Sequence, residues 1–96
     1  MTFFDLYDIL ESKGNRMTNI NTPNQLGKVL QGYRKLNGFT QKNTGEKVGL
    51  LPKTISSLEL TPQKSTIGSL FKLLSALELE IIITERSSHS TPQSDW

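Results

Sequence analysis

"FTQKNTGEKVGLLPKTISSLE", residues 39–59, contains two short segments of helical character joined at Val48-Gly49-Leu50. Each segment is too short to hold a helix alone in water. Two such pieces at a fixed angle make physical sense if one is a platform and the other is presented to a partner. Thr40 is placed to cap the first, which is expected to end at Val48 before Gly49. The second is expected from Pro52 to about Glu59, with Ile55 and Leu58 facing inward and Leu50 in the preceding turn.

Upstream, Thr22-Pro23-Asn24-Gln25 reads as a helix start. Thr22 is the N-cap, Pro23 suits the first helical position, and Gln25 is a capping-box partner. Leu26, Val29, Leu30, Tyr33 and Leu36 follow at helical spacing, and Asn37-Gly38 supplies a left-handed stop, so this helix spans about 23–37. Downstream, "LTPQKS" is a loop and Thr66 caps a last helix. Its apolar stripe reads as Ile67, Leu70, Phe71, Leu74 and Leu77. "ELEIIITER" then changes character. Ile81, Ile82 and Ile83 are consecutive β-branched residues between charges, which favours a strand at 80–85. A lone strand needs a ladder from elsewhere, and the same strand of a second copy across a two-fold axis supplies it. The alternative is a frayed extension of the last helix.

The ends are polar or isolated. Residues 1–21 form an N-terminal extension with one amphipathic stretch, Phe3 to Leu10, and Met17 is a possible second start. Residues 86–96, "RSSHSTPQSDW", read as a disordered tail that ends on Trp96. The fold class expected is mainly α: a four-to-five-helix bundle over residues 22–79 plus one C-terminal strand pairing across a dimer.

Bulk composition narrows the function. Ninety-six residues with 34% hydrophobic content indicate one domain with a small core, to which a partner subunit can add burial. There is no cysteine, and the lone His89 sits among serines, so neither disulfides nor a metal site is expected. No apolar run is long enough to cross a bilayer and no signal-peptide pattern opens the chain, which makes an intracellular protein, in the cytoplasm with the nucleoid, the default. Charge is unevenly placed. Residues 28–72 carry eight basic residues against Glu46 and Glu59, net +6, whereas residues 1–16 carry −1 and the chain from Glu78 onward carries −3. A basic middle between acidic ends suits a polyanion, and ordinary solvated lysines give the same pattern. No cofactor-binding motif, nucleophile–base pair or Gly-rich phosphate loop is present, so an enzyme is not expected.

Two helices around Gly49 have the layout of a helix-turn-helix, whose second helix enters the DNA major groove while the first crosses the backbone. "RKLNGFTQ" (34–41), "VGL" (48–50), "TISSLE" (54–59) and "TIGSLFKLLSALEL" (66–79) resemble the phage-repressor (Cro/C1, Xre) type of helix-turn-helix domain. The last helix running straight into an isoleucine strand, then a short tail ending in Trp, is similar to the HipB-type antitoxins within that group. The resemblance implies a homodimer that binds double-stranded operator DNA, represses its own promoter and neutralises a HipA-like kinase toxin, of one chain or split. A plain phage- or plasmid-type repressor without a toxin partner is the alternative.

By the same resemblance, Gln41 contacts a backbone phosphate, where a helix N-terminus also offers free N–H groups. Base-reading positions fall on Leu51, Pro52, Lys53, Ser56 and Ser57, with Thr54 at the helix edge. Lys64 is a phosphate contact. Pro52 stands where phage repressors often carry glutamine, which removes a bidentate adenine reader and shifts part of the specificity to DNA shape. Arg34 and Glu59 are implied to be a structural ion pair tying the first helix to the end of the third. Trp96 is implied as the toxin anchor. Where the group usually has Glu-Leu-Ala, this chain has Asn43-Thr44-Gly45. The glycine keeps the close helix contact at a propensity cost of roughly 1 kcal/mol relative to alanine.

Overall fold

Three threonines begin three of the four helices that the computed structural model describes in residues 17–86. Helix α1 spans Pro23–Leu36, α2 Gln41–Val48, α3 Pro52–Leu60 and α4 Ile67–Ala76, with a short 3-10 turn at Pro62–Lys64 between α3 and α4. The Thr22 hydroxyl accepts from the Gln25 N–H, that of Thr40 from Asn43, and that of Thr66 from Ser69. Each satisfies one orphan donor of a helix start. At Thr40 the capping box is complete, because the Asn43 side chain also accepts from the Thr40 N–H. At α1 the return bond falls one residue earlier than a capping box: Gln25 Oε1 accepts from the Asn21 N–H at 2.7 Å.

Gly38 and Gly49 take left-handed backbone after α1 and at the C-cap of α2, with φ of 74° and 73°. Both fit the stops expected there. The turn at Gly49 sets α2 against α3, and α2 also packs on α4, while α1 lies along α3 and the 3-10 turn. Leu30, Ile55, Leu58, Leu73, Leu74 and Leu77 form the buried core, with Leu26, Tyr33, Phe39, Leu50, Leu70 and Leu79 packed around it. Thr44 is fully buried, where its hydroxyl donates to the Thr40 carbonyl at 2.8 Å. That internal bond lets a polar residue occupy a core position on α2.

Gly45 does more than tolerate proximity. A β-carbon there would stand 2.2 Å from the Leu50 carbonyl oxygen. That same backbone turn donates Leu50 N–H back to the Gly45 carbonyl at 2.9 Å. Gly27 on α1 plays the matching part against α3, with the Glu59 carbonyl oxygen 2.3 Å from its missing β-carbon.

One expectation about the C-terminal region needs correction, and another finds no counterpart within a single chain. Of the expected α4 stripe, Leu74 and Leu77 are buried and Leu70 packs on the core, but Leu73 is fully buried in place of Ile67 and Phe71, which are 72% and 55% exposed. Sequence periodicity misplaced this part of the stripe because α4 is apolar on more than one side. Beyond α4, residues 79–86 form neither helix nor strand, and among the described residues there is no strand. Ile81, Ile82 and Ile83 are exposed. A strand without a ladder has nothing to pair its backbone groups with in one chain. A frayed extension of α4 is also ruled out. Glu78 turns to a left-handed φ of 57°, and the Leu79 N–H donates back to the Leu74 carbonyl at 2.8 Å, closing the helix. The Phe3–Leu10 stretch and Trp96 lie outside the described residues.

Candidate nucleic-acid interface

The buried side of α3 is Ile55, Leu58 and Glu59, and everything else on the helix faces outward or sits at its edge. Leu51, the N-cap residue, is 66% exposed and makes no side-chain cap. Pro52 and Lys53 are exposed, while Thr54, Ser56 and Ser57 are half-buried. Proline at the first helical position loses no hydrogen bond, because its N–H would have been an orphan. The sequence therefore presents one ammonium, three hydroxyls and one aliphatic side chain within two turns. Leu60, one turn beyond Ser56 and Ser57, is also exposed and extends the same face. The sequence reading ended the helix at about Glu59 and placed Leu60 in the following loop, whereas it is the last residue of α3. Lys64 is exposed in the 3-10 turn that follows.

What fixes this helix is a polar cluster at its C-terminal end. The Glu59 side chain is fully buried, and its Oε2 forms an ion pair with Arg34 Nε from α1. Glu59 Oε1 accepts from Arg34 Nη2 at 3.1 Å, from Gln31 Nε2 at 3.3 Å and from Gln41 Nε2 at 3.3 Å. Arg34 Nη1 donates to the Phe39 carbonyl at 2.8 Å, which ties the α1–α2 connection to the same cluster. Three helices thus meet on one carboxylate. A buried charge is tolerated only when paired and hydrogen-bonded in this manner. The carboxamide of Gln41, expected from the sequence at a DNA phosphate, is turned with one N–H to this cluster.

The pairing also shapes the surface field. Arg34 and Glu59 neutralise each other inside, which leaves seven exposed lysines from Lys28 to Lys72 against the exposed Glu46. One of them, Lys47, is held with its ammonium 4.4 Å from the centre of the Phe39 ring, an ordinary cation–π distance. Among the described residues no group of His, Cys, Asp and Glu is arranged to hold a metal ion, and no helix is long and apolar enough to cross a membrane.

No family model matches the chain. Antitoxin HipB of Escherichia coli is 33% identical over 75 residues, covering 78% of this chain and 84% of that protein. The chain belongs to the HipB antitoxin family. Solved HipB structures share its backbone course. A HipB variant in an O2 20mer complex superposes with a TM-score of 0.72 at 32% identity, covering 75% of this chain and all of that one. A HipA-HipB-O2-O3 complex gives 0.71 at 32% identity over 74% of this chain and all of the HipB chain matched. The described fold and the exposed face of α3 are therefore set within a family whose solved members include such complexes.

Proposed function

We propose that this chain is the antitoxin of a HipA-type toxin–antitoxin pair, a homodimer that binds operator DNA, represses its own promoter and restrains the kinase toxin. The observation that carries the reading is the outer side of α3, with Leu51, Pro52 and Lys53 exposed at its start and the half-buried hydroxyls of Thr54, Ser56 and Ser57 beside them, braced from behind by the Glu59 cluster, in a chain of the HipB family. A helix presented at its N-terminal end fits major-groove reading.

In this proposal residues 22–79 are the DNA-binding domain. Lys53, Thr54, Ser56 and Ser57 face base edges and neighbouring phosphates, Leu51 meets a thymine methyl, and Gln41 and Lys64 hold the backbone. Residues 80–85 pair with their counterpart in a second copy, and the tail, 86–96, carries Trp96 to the toxin. Ile67 and Phe71 of α4, together with Ile81 and Ile82, supply apolar surface for the two-fold contact. The 1–21 extension has no assigned part. The protein acts by binding, with no reaction of its own, in the cytoplasm.

The test is a pull-down from the native host with the full-length chain and with Trp96→Ala, identifying both DNA and protein. Recovery of the upstream promoter with both, and of a HipA-like kinase chiefly with the unaltered chain, is the expected result. A promoter without any kinase would reduce the protein to a plain repressor. Equal kinase recovery with the two chains would remove Trp96 as the anchor.

A further inference from the structure

We propose that Glu59 is a positioning residue for DNA binding: it locks the Gln41 carboxamide so that the second N–H of that amide is offered to a DNA phosphate. This rests on the DNA-binding reading above. A carboxylate only accepts hydrogen bonds, so Gln41 can face Glu59 Oε1 only with its nitrogen, and the usual ambiguity between amide O and N is removed. Nε2 carries two N–H groups, and Glu59 takes one of them.

The free one stands beside other unused donors. Gln41 is the first residue of α2, and Thr40 already engages the N–H groups of Asn43 and Thr44. The N–H groups of Gln41 and Lys42 have no acceptor among the described residues. Three donors at one helix start, one of them fixed from behind by a buried carboxylate, match the oxygens of a phosphate. Released from Glu59, the same carboxamide would rotate and turn its oxygen outward as readily as its nitrogen. The Glu59 cluster therefore links the bracing of α3 to the anchoring of α2 on the backbone.

A neutral amide displaces no counterion, which gives the contact its own signature. Its loss lowers affinity without changing the salt slope, unlike the loss of a lysine. The experiment is a binding cycle with the full chain and a labelled duplex spanning the region upstream of its own reading frame, repeated over a salt series. Gln41→Ala is compared in two backgrounds, the unaltered chain and the apolar pair Arg34→Met with Glu59→Leu, which replaces both charges together. The expected result is roughly a tenfold loss of affinity in the first background with an unchanged salt slope. In the second background Gln41→Ala has no further effect. Equal losses in both backgrounds overturn the positioning role while leaving DNA binding intact. No binding by the unaltered chain overturns the DNA-binding reading and this inference with it.

Should the apolar pair not fold, side-chain amide relaxation in the unaltered protein decides. Gln41 Nε2 as ordered as the helix backbone supports the lock. Motion equal to that of the exposed Gln63 overturns it.

Discussion

Around Glu59, side chains from three helices satisfy one another inside the chain; along α4, Ile67 and Phe71 stand largely exposed among the described residues. The first region is polar yet finished. The second is apolar yet open. A polar cluster is costly unless each charge has its partners, so evolution of the sequence must complete it within the fold. An apolar patch has no such internal demand, and a second copy can cover it. The contrast separates what this domain needs to fold from what it needs to assemble.

Breaking the finished region should cost most. Arg34→Ala leaves the Glu59 carboxylate buried and without its counter-charge, and thermal or urea unfolding should show a loss of about 3–5 kcal/mol. An unfolding curve unchanged from the parent would mean that the pair is not structural. Breaking the open region should leave the monomer fold alone. Phe71→Asp should weaken self-association by at least about 2 kcal/mol, read by sedimentation equilibrium, with helical content retained. Unaltered dimerisation would place the two-fold contact elsewhere. The smallest effect sharpens the comparison from within the finished region. Gly45→Ala improves helix propensity by roughly 1 kcal/mol, but the new β-carbon meets the Leu50 carbonyl, for which overpacking costs about 1–3 kcal/mol. Chemical denaturation should therefore show a net loss of about 1 kcal/mol. A gain would mean that the α2–α3 turn yields easily.

The same comparison explains what could be read in advance. Helix starts at Thr22, Thr40 and Thr66 and stops at Gly38 and Gly49 were legible because caps and left-handed turns are settled by residues within a few positions of each other. Part of the α4 stripe was not, since leucines and aromatics on several of its sides make more than one stripe plausible. Packing against α2 and α3 selects Leu73 over Ile67 and Phe71. The inward turn of Gln41 was likewise hidden, because its partner lies 18 residues away on another helix. Gly45 was legible as a close contact but not by its agent: the crowding atom belongs to the turn and not to a facing helix. Leu60 was missed because the helix end was placed at Glu59, one residue short, and helix ends fray by a residue or two in any sequence reading.

Glu78 is the only non-glycine residue with positive φ among those described, and an L-residue there carries a strain of about 1–2 kcal/mol. Its consequence is metrological. The left-handed stop at Glu78 ends α4 and redirects the chain, and so sets where the isoleucines that follow lie relative to the α4 patch. In a two-fold assembly built on both, that offset is counted twice, once from each copy. If the two α3 helices of the proposed dimer read two half-sites, their separation is gauged in part by this one backbone angle.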